Sequence, residues 1–204
     1  MAVDFPKPPK HITRLAAATI PKGFRAAYTT SEAVKTKKRL LSHYRSCECF
    51  ILPLLSLVSA KKPLEGVQSI GWRLYRKVGD SILEMHLDNI SDRKARIVST
   101  ANVNSGDLSV SQSFAAMKKI GLAGHYNARL LLIPPLIPRS LWLKSSGRNS
   151  DRIVIQASNV AGILPGLIIT PTGLVRRLLE PARSLLEFQP EATEIASSLA
   201  TPMQ

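Results

Sequence analysis

Glu84, His86 and Asp88 occupy alternate positions of "SILEMHLD", between Leu83, Met85 and Leu87. On a strand, residues two apart share a face, so this imidazole stands between two carboxylates. A general base needs an orienting partner within hydrogen-bond reach. Side chains two apart on a strand stand rather far for that, and the alternation turns this face toward solvent. No catalytic role is therefore assigned to His86. The other histidines, His11, His43 and His125, are distant in sequence. The chain contains no glycine-rich phosphate loop, no paired-histidine zinc helix and no nucleophile elbow. Cys47 and Cys49 flank Glu48, but a tetrahedral zinc site needs two more ligands and no second Cys/His pair follows. Both read as plain thiols. No metal, no cofactor and no enzymatic activity is expected.

Basic groups say more. The chain has 28 Lys and Arg against 14 Asp and Glu, a formal charge of +14. The excess is concentrated: residues 1–62 carry 12 basic and 3 acidic side chains, and the other 142 residues carry 16 and 11. Such a segment attracts nucleic acid, acidic lipid or acidic protein. Lys35, Lys37, Lys38 and Arg39 are its densest run. Arg73, Tyr75 and Lys77 alternate along "IGWRLYRK", and Arg96 lies on a neighbouring segment. Basic and aromatic side chains on an open sheet suit a single strand, because bases stack and phosphates pair. Lys35, Lys37, Lys38, Arg39, Arg73, Lys77 and Arg96 are thus the expected polyanion-binding residues of a non-enzymatic binding protein.

Several elements must position these groups. Pro6, Pro8, Pro9 and Pro21 fix backbone angles and remove donors, so regular structure is not expected before about residue 24. "TSEAVKTKKRLLSHYRS" can start a helix at Thr30 or Ser31, with a thin apolar face of Val34, Leu41 and Tyr44. The apolar run from Cys49 to Ala60 falls short of the roughly 20 residues that span a bilayer. It reads as a core segment or docking helix of a cytoplasmic protein. The alternative is the hydrophobic stretch of an atypical secretory signal, with Lys35–Arg45 before it and small residues (Val58–Ala60) after it. That version makes the protein an exported or envelope-associated domain, secreted or periplasmic, whose first sixty residues are removed.

Beyond residue 66 the periodicity is clearer. Ile70, Trp72 and Leu74, then Leu83, Met85 and Leu87, then "KARIVST" form an antiparallel meander. "SGDLSVSQSFAAMKKIGLAG" shifts to helical spacing through Val110, Phe114 and Met117, with Asp107 or Ser109 as cap and Gly121 or Gly124 as stop. "RLLLI" and "SLWLK" are short strands on either side of "PPLIP", whose prolines interrupt the ladder and make an ordinary hairpin. "DRIVIQA" is a further strand, with Ile153 and Ile155 on one face. "TPTGLVRRLLEPARSLLEF" is a helix capped by Thr170, with Pro171 at its first position and Pro181 expected to kink it near Arg177. The expected fold is α+β: a small antiparallel sheet of about six short strands with two packed helices, preceded by an irregular basic N-terminal region. The expected boundaries are 1–62 for that region, with its short apolar run (49–60), 66–188 for the domain, and 189–204 for a flexible tail.

One segment resembles a known pattern. Arg129, Leu130, Leu131, Ile133, Pro134 and Leu136, followed by Leu141, Trp142, Leu143 and Asp151, are similar to an "RLL-x-IP-x-L", "LWL", Asp arrangement in bacterial proteins without an assigned activity. The likeness covers about residues 107–187. Where those proteins carry Ala or Glu-Ala before Leu-Trp-Leu, this chain has Arg139-Ser140. The resemblance implies a shared small α+β domain and no particular reaction.

Overall fold

Strand-forming alternation runs through most of the chain, and the computed structural model turns it into one mixed sheet. The structure describes residues 2–18, 45–78, 81–91, 94–104, 124–147 and 150–188. The helices expected to start at Thr30 or Ser31 and after Asp107, and the tail after residue 188, lie outside these. The strands are β1 (Ala2–Asp4), β2 (Arg45–Ile51), β3 (Gln68–Val78), β4 (Ser81–Ser91), β5 (Lys94–Asn104), β6 (His125–Ile133), β7 (Ile137–Ser145), β8 (Arg152–Ala157) and β9 (Ile168–Ile169). Their order is β5-β4-β3-β2-β6-β7-β8-β9, with β1 added parallel to β6. The described helices are α1 (Lys10–Ala18), α2 (Leu54–Ser59) and α3 (Pro171–Phe188).

The expected fold class is therefore corrected. The sheet has nine strands among the described residues and is mixed, where about six antiparallel strands with two packed helices were expected. Among its described residues, the N-terminal region expected to be irregular forms β1, α1, β2 and α2. The prolines misled for a physical reason. Pro9 lies just before α1, where a missing N–H breaks no helical bond, and its carbonyl accepts from the Thr13 N–H at 3.1 Å. The carbonyl of Pro6 accepts from Ser46 Oγ at 2.6 Å, tying this segment to β2. The run 49–60 shows little period-two alternation because β2 lacks a wet face. Ser46, Cys47, Cys49 and Phe50 are all buried, as suits an interior strand covered on both sides. A chain beginning at Lys61 would lack this strand and α2. Among the described residues, no helix is long and apolar enough to cross a membrane.

The chain divides into two compact units. The first holds β1, the end of β2, α2, the start of β3, β6 to β9 and α3. Its core joins Phe50, Leu52 and Leu57 to Ile133, Trp142, Ile153 and Ile155 of the sheet and to Leu174, Leu178 and Ala182 of α3. Leu130, Leu141, Leu143 and Val154, which alternate with that face, are also buried. The β6–β7 hairpin closes at the Ile133–Ile137 pair, with a cis peptide between Pro134 and Pro135. The carbonyls of this turn are satisfied from outside it, by Asn159 Nδ2 to Pro135 at 2.7 Å and the Asn159 N–H to Leu136 at 2.9 Å. Thr170 caps α3 as expected, its Oγ1 accepting from the Gly173 N–H at 3.1 Å. α3 stays continuous through Pro181.

The second unit holds α1, the start of β2, most of β3, and β4 and β5. The expected meander is present, with strands of 11 residues each. Ile12 and Ala16 of α1 cover Trp72, Leu74, Met85 and Leu87. Gly71 takes φ +147°, and a Cβ there would lie 2.1 Å from the Leu87 carbonyl oxygen. Only glycine lets β3 and β4 approach at this point.

Trp142 is 6% exposed, under α3. Removing so large a buried side chain costs about 3–5 kcal/mol. Trp142→Ala is expected to lower the denaturant midpoint by the corresponding amount in chemical unfolding. A midpoint equal to wild type would contradict this packing.

Candidate anion-binding site

The meander carries three of the expected basic residues, and carboxylates hold two of them. Arg73 pairs with Glu84 through Nη1 and Oε1. Glu84 is only 6% exposed, so the expected solvated face is in fact partly buried here. Arg96 stands opposite Asp88 in the ladder, with Nη2 and Nε at 3.2 and 3.4 Å from Oδ2. Tyr75 is buried, which removes the aromatic surface on which a base was expected to stack. Lys77 lies on β3, but its side chain is outside the described residues. So are Lys35, Lys37, Lys38 and Arg39.

His86 sits inside this charged group. It is opposite Arg73 in the β3–β4 register, and its Nε2 is 3.4 Å from Asp88 Oδ1. The two side chains approach one another, yet the expectation that residues two apart on a strand stand rather far for a hydrogen bond holds. The approach still lacks hydrogen-bond geometry: among the described residues, Nε2 is buried without a hydrogen-bond partner. Burial lowers the His86 pKa below 6.5, and Arg73 lowers it further, while Asp88 and Glu84 partly oppose them. The imidazole is therefore neutral at neutral pH. Among the described residues, no nucleophile is hydrogen-bonded to it. The linkage to folding has a definite sign, because a lowered histidine pKa means that the unfolded chain takes the proton first. His86 is then expected to contribute stability that is fully present above pH 6.5 and declines as pH falls below it. Urea midpoints measured from pH 7.5 to pH 5 should drop more for wild type than for His86→Gln. Equal drops would show that His86 is not linked to folding.

The β6–β7 hairpin presents a different arrangement. Its register sets Arg129 opposite Trp142 and Asn127 opposite Lys144, so all four share one face. The Arg129 guanidinium carbon is 4.8 Å from the Phe50 ring centre and 5.2 Å from that of Trp142. The two rings meet edge to face at 5.5 Å and 77°. Lys144 Nζ lies 6.0 Å from the Trp142 ring centre. Contacts of a cation with an aromatic face contribute about 0.5–2 kcal/mol each, more as they lose water.

Asp151 fixes the indole. Trp142 Nε1 donates to its Oδ2 at 2.8 Å, and the Ser145 N–H donates to its Oδ1 at 2.9 Å. Both carboxylate oxygens are thereby occupied, which gives the Leu-Trp-Leu and Asp spacing a physical meaning. Ser140 is fully buried, and its Oγ donates to the Leu131 carbonyl at 2.7 Å. Among the described residues, neither Arg129 nor Lys144 has a carboxylate within ion-pair distance.

Trp142 and Asp151 also line an open cleft of about 540 Å³ with Pro63, Leu64, Ser150 and the first residues of α3. A smaller cleft of about 210 Å³ lies between α2 and α3. Leu64 lines both and has φ +61°, a conformation that branched side chains rarely adopt. Among the described residues, no three His, Cys, Asp or Glu side chains are grouped to hold a metal, and Cys47 and Cys49 are buried free thiols.

No protein-family model, curated protein or solved structure matches the chain. Reading the sequence for charge runs missed Arg129 and Lys144. The available signal was the hairpin register: once "PPLIP" closes the turn, Arg129 must face Trp142.

Proposed function

We propose that this is a non-enzymatic binding protein that holds polyanions. The observation that carries this reading is the unequal treatment of its cations. Arg73 and Arg96 are held by Glu84 and Asp88. Among the described residues, half-buried Arg129 and exposed Lys144 have no carboxylate within ion-pair distance and lie against aromatic rings. The overall charge of +14 supports the same reading, because it draws anions to the protein before any contact forms. Lys35, Lys37, Lys38 and Arg39 are the second group assigned to this role. Arg73 and Arg96 contribute less, since a bound phosphate must compete with the carboxylates they already hold.

Residues 1–62 cannot be deleted to test this, because β2, α1 and α2 would go with them. Charge removal in the full chain is the appropriate experiment. Wild type is expected to bind a labelled single-stranded oligonucleotide at low salt, with affinity falling steeply as salt is added. Changing Lys35, Lys37, Lys38 and Arg39 together to Gln should make the logarithmic salt dependence shallower, by about 0.7 for each phosphate no longer neutralised. Absence of binding by wild type at low salt would defeat the reading.

A further inference from the structure

We propose that Arg129 and Lys144 form a phosphate-binding site, and that its ligand is the phosphodiester backbone of a single-stranded nucleic acid. The inference rests on the polyanion reading and assigns it a place and a ligand. A guanidinium is a planar fork of five N–H donors that matches an oxyanion through two parallel hydrogen bonds. The fork of Arg129 is already ordered, because Phe50 and Trp142 hold its carbon at 4.8 and 5.2 Å from their ring centres. Fixing the side chain beforehand lowers the entropic cost of binding. Rings satisfy the fork's plane but not its donors. Among the described residues, no oxygen accepts from them, and none of its nitrogens is sealed from solvent without a partner.

Asp151 strengthens the arrangement without cancelling it. Its oxygens take the Trp142 N–H and the Ser145 N–H, so the carboxylate anchors the indole rather than the cation. Donation from Nε1 to an anion enriches the indole ring in electrons, and the ring then holds Arg129 more firmly. Lys144, exposed beside the same indole, adds a mobile point charge.

The surroundings distinguish a strand from a membrane. Docking on a lipid surface normally adds an apolar face that enters the bilayer. The exposed large apolar residues among those described are Leu55, Val98, Leu164 and Phe188, and none is on β6 or β7. Phe50 and Trp142 are themselves buried against the core, so they offer no open ring for base stacking. The site therefore reads backbone charge and is indifferent to base identity.

The test uses the full chain with Arg129→Gln, Arg129→Lys and Lys144→Gln. Thermal unfolding identifies any variant that loses the fold, and Lys144→Gln, at an exposed position, keeps the test valid if the Arg129 variants do not fold. Oligothymidine and an abasic strand of equal length are the probes, with phosphatidylglycerol vesicles as a third arm. Wild type is expected to bind both strands equally. Arg129→Gln and Lys144→Gln should each reduce the salt slope for strand binding by about 0.7. Arg129→Lys should keep the slope and lose affinity, because the charge remains and the fork is gone. If wild type binds strands but folded Arg129→Gln and Lys144→Gln bind with unchanged slope, this site is wrong and the broader reading survives. If wild type binds no strand at low salt, the broader reading fails as well. Loss of abasic-strand binding, or an effect of the variants confined to vesicles, would overturn the ligand assignment.

Discussion

An indole cannot be buried at low cost unless its N–H finds an acceptor, and Asp151 is the acceptor for Trp142. An unsatisfied buried donor costs about 1–3 kcal/mol, comparable with the burial energy of a whole aliphatic side chain. The same carboxylate also receives the Ser145 N–H at the end of β7. One residue just before β8 thus sets the orientation of the largest side chain in the first unit. From that orientation follow the edge-to-face contact with Phe50, the seat of α3 through Leu174 and Leu178, and the platform under Arg129. The Leu-Trp-Leu and Asp pattern is a structural device whose by-product is an ordered cation.

Charge is distributed by the same logic of satisfaction. In the meander, opposite charges face one another across strands. Arg96 meets Asp88 directly, and Arg73 meets Glu84 on the diagonal. A carboxylate as buried as Glu84 needs such a partner, because desolvating a charge without one is expensive. The arginine is then held as much as the glutamate is. His86 lies among these charges and stays neutral, since burial and Arg73 together outweigh the two acids. On β6 and β7, among the described residues, no carboxylate performs this service, and rings hold Arg129 instead. A basic protein with half as many acidic as basic side chains cannot neutralise every cation. Where the acids lie decides which cations remain available.

The basic N-terminal third has a structural role that its charge conceals. β2 lies between β3 and β6 in the sheet order, and β1 pairs in parallel with β6. Fold and positive charge are thus carried by the same segment. Pro6, Pro8 and Pro9, which suggested an irregular arm, instead mark the approach to α1, and the carbonyls of Pro6 and Pro9 accept hydrogen bonds.

The sequence alone determined the parts that depend on near neighbours. Period-two alternation marks β3 and β4, "PPLIP" marks the β6–β7 turn, and Thr170-Pro171 marks the start of α3. These features follow from sterics and hydrogen bonding within a few residues. Tertiary structure alone decided which strands distant in sequence became neighbours. β1 finds β6 more than a hundred residues away, and β2 takes an interior position that leaves it no polar face. Local periodicity specifies the faces of an element and is silent about its partner across the chain. The candidate site shows the same division. Arg129, Trp142 and Asp151 were visible as a spaced motif. Their roles as cation, platform and anchor arose only when the hairpin register and the β7–β8 pairing brought a guanidinium, an indole and a carboxylate together.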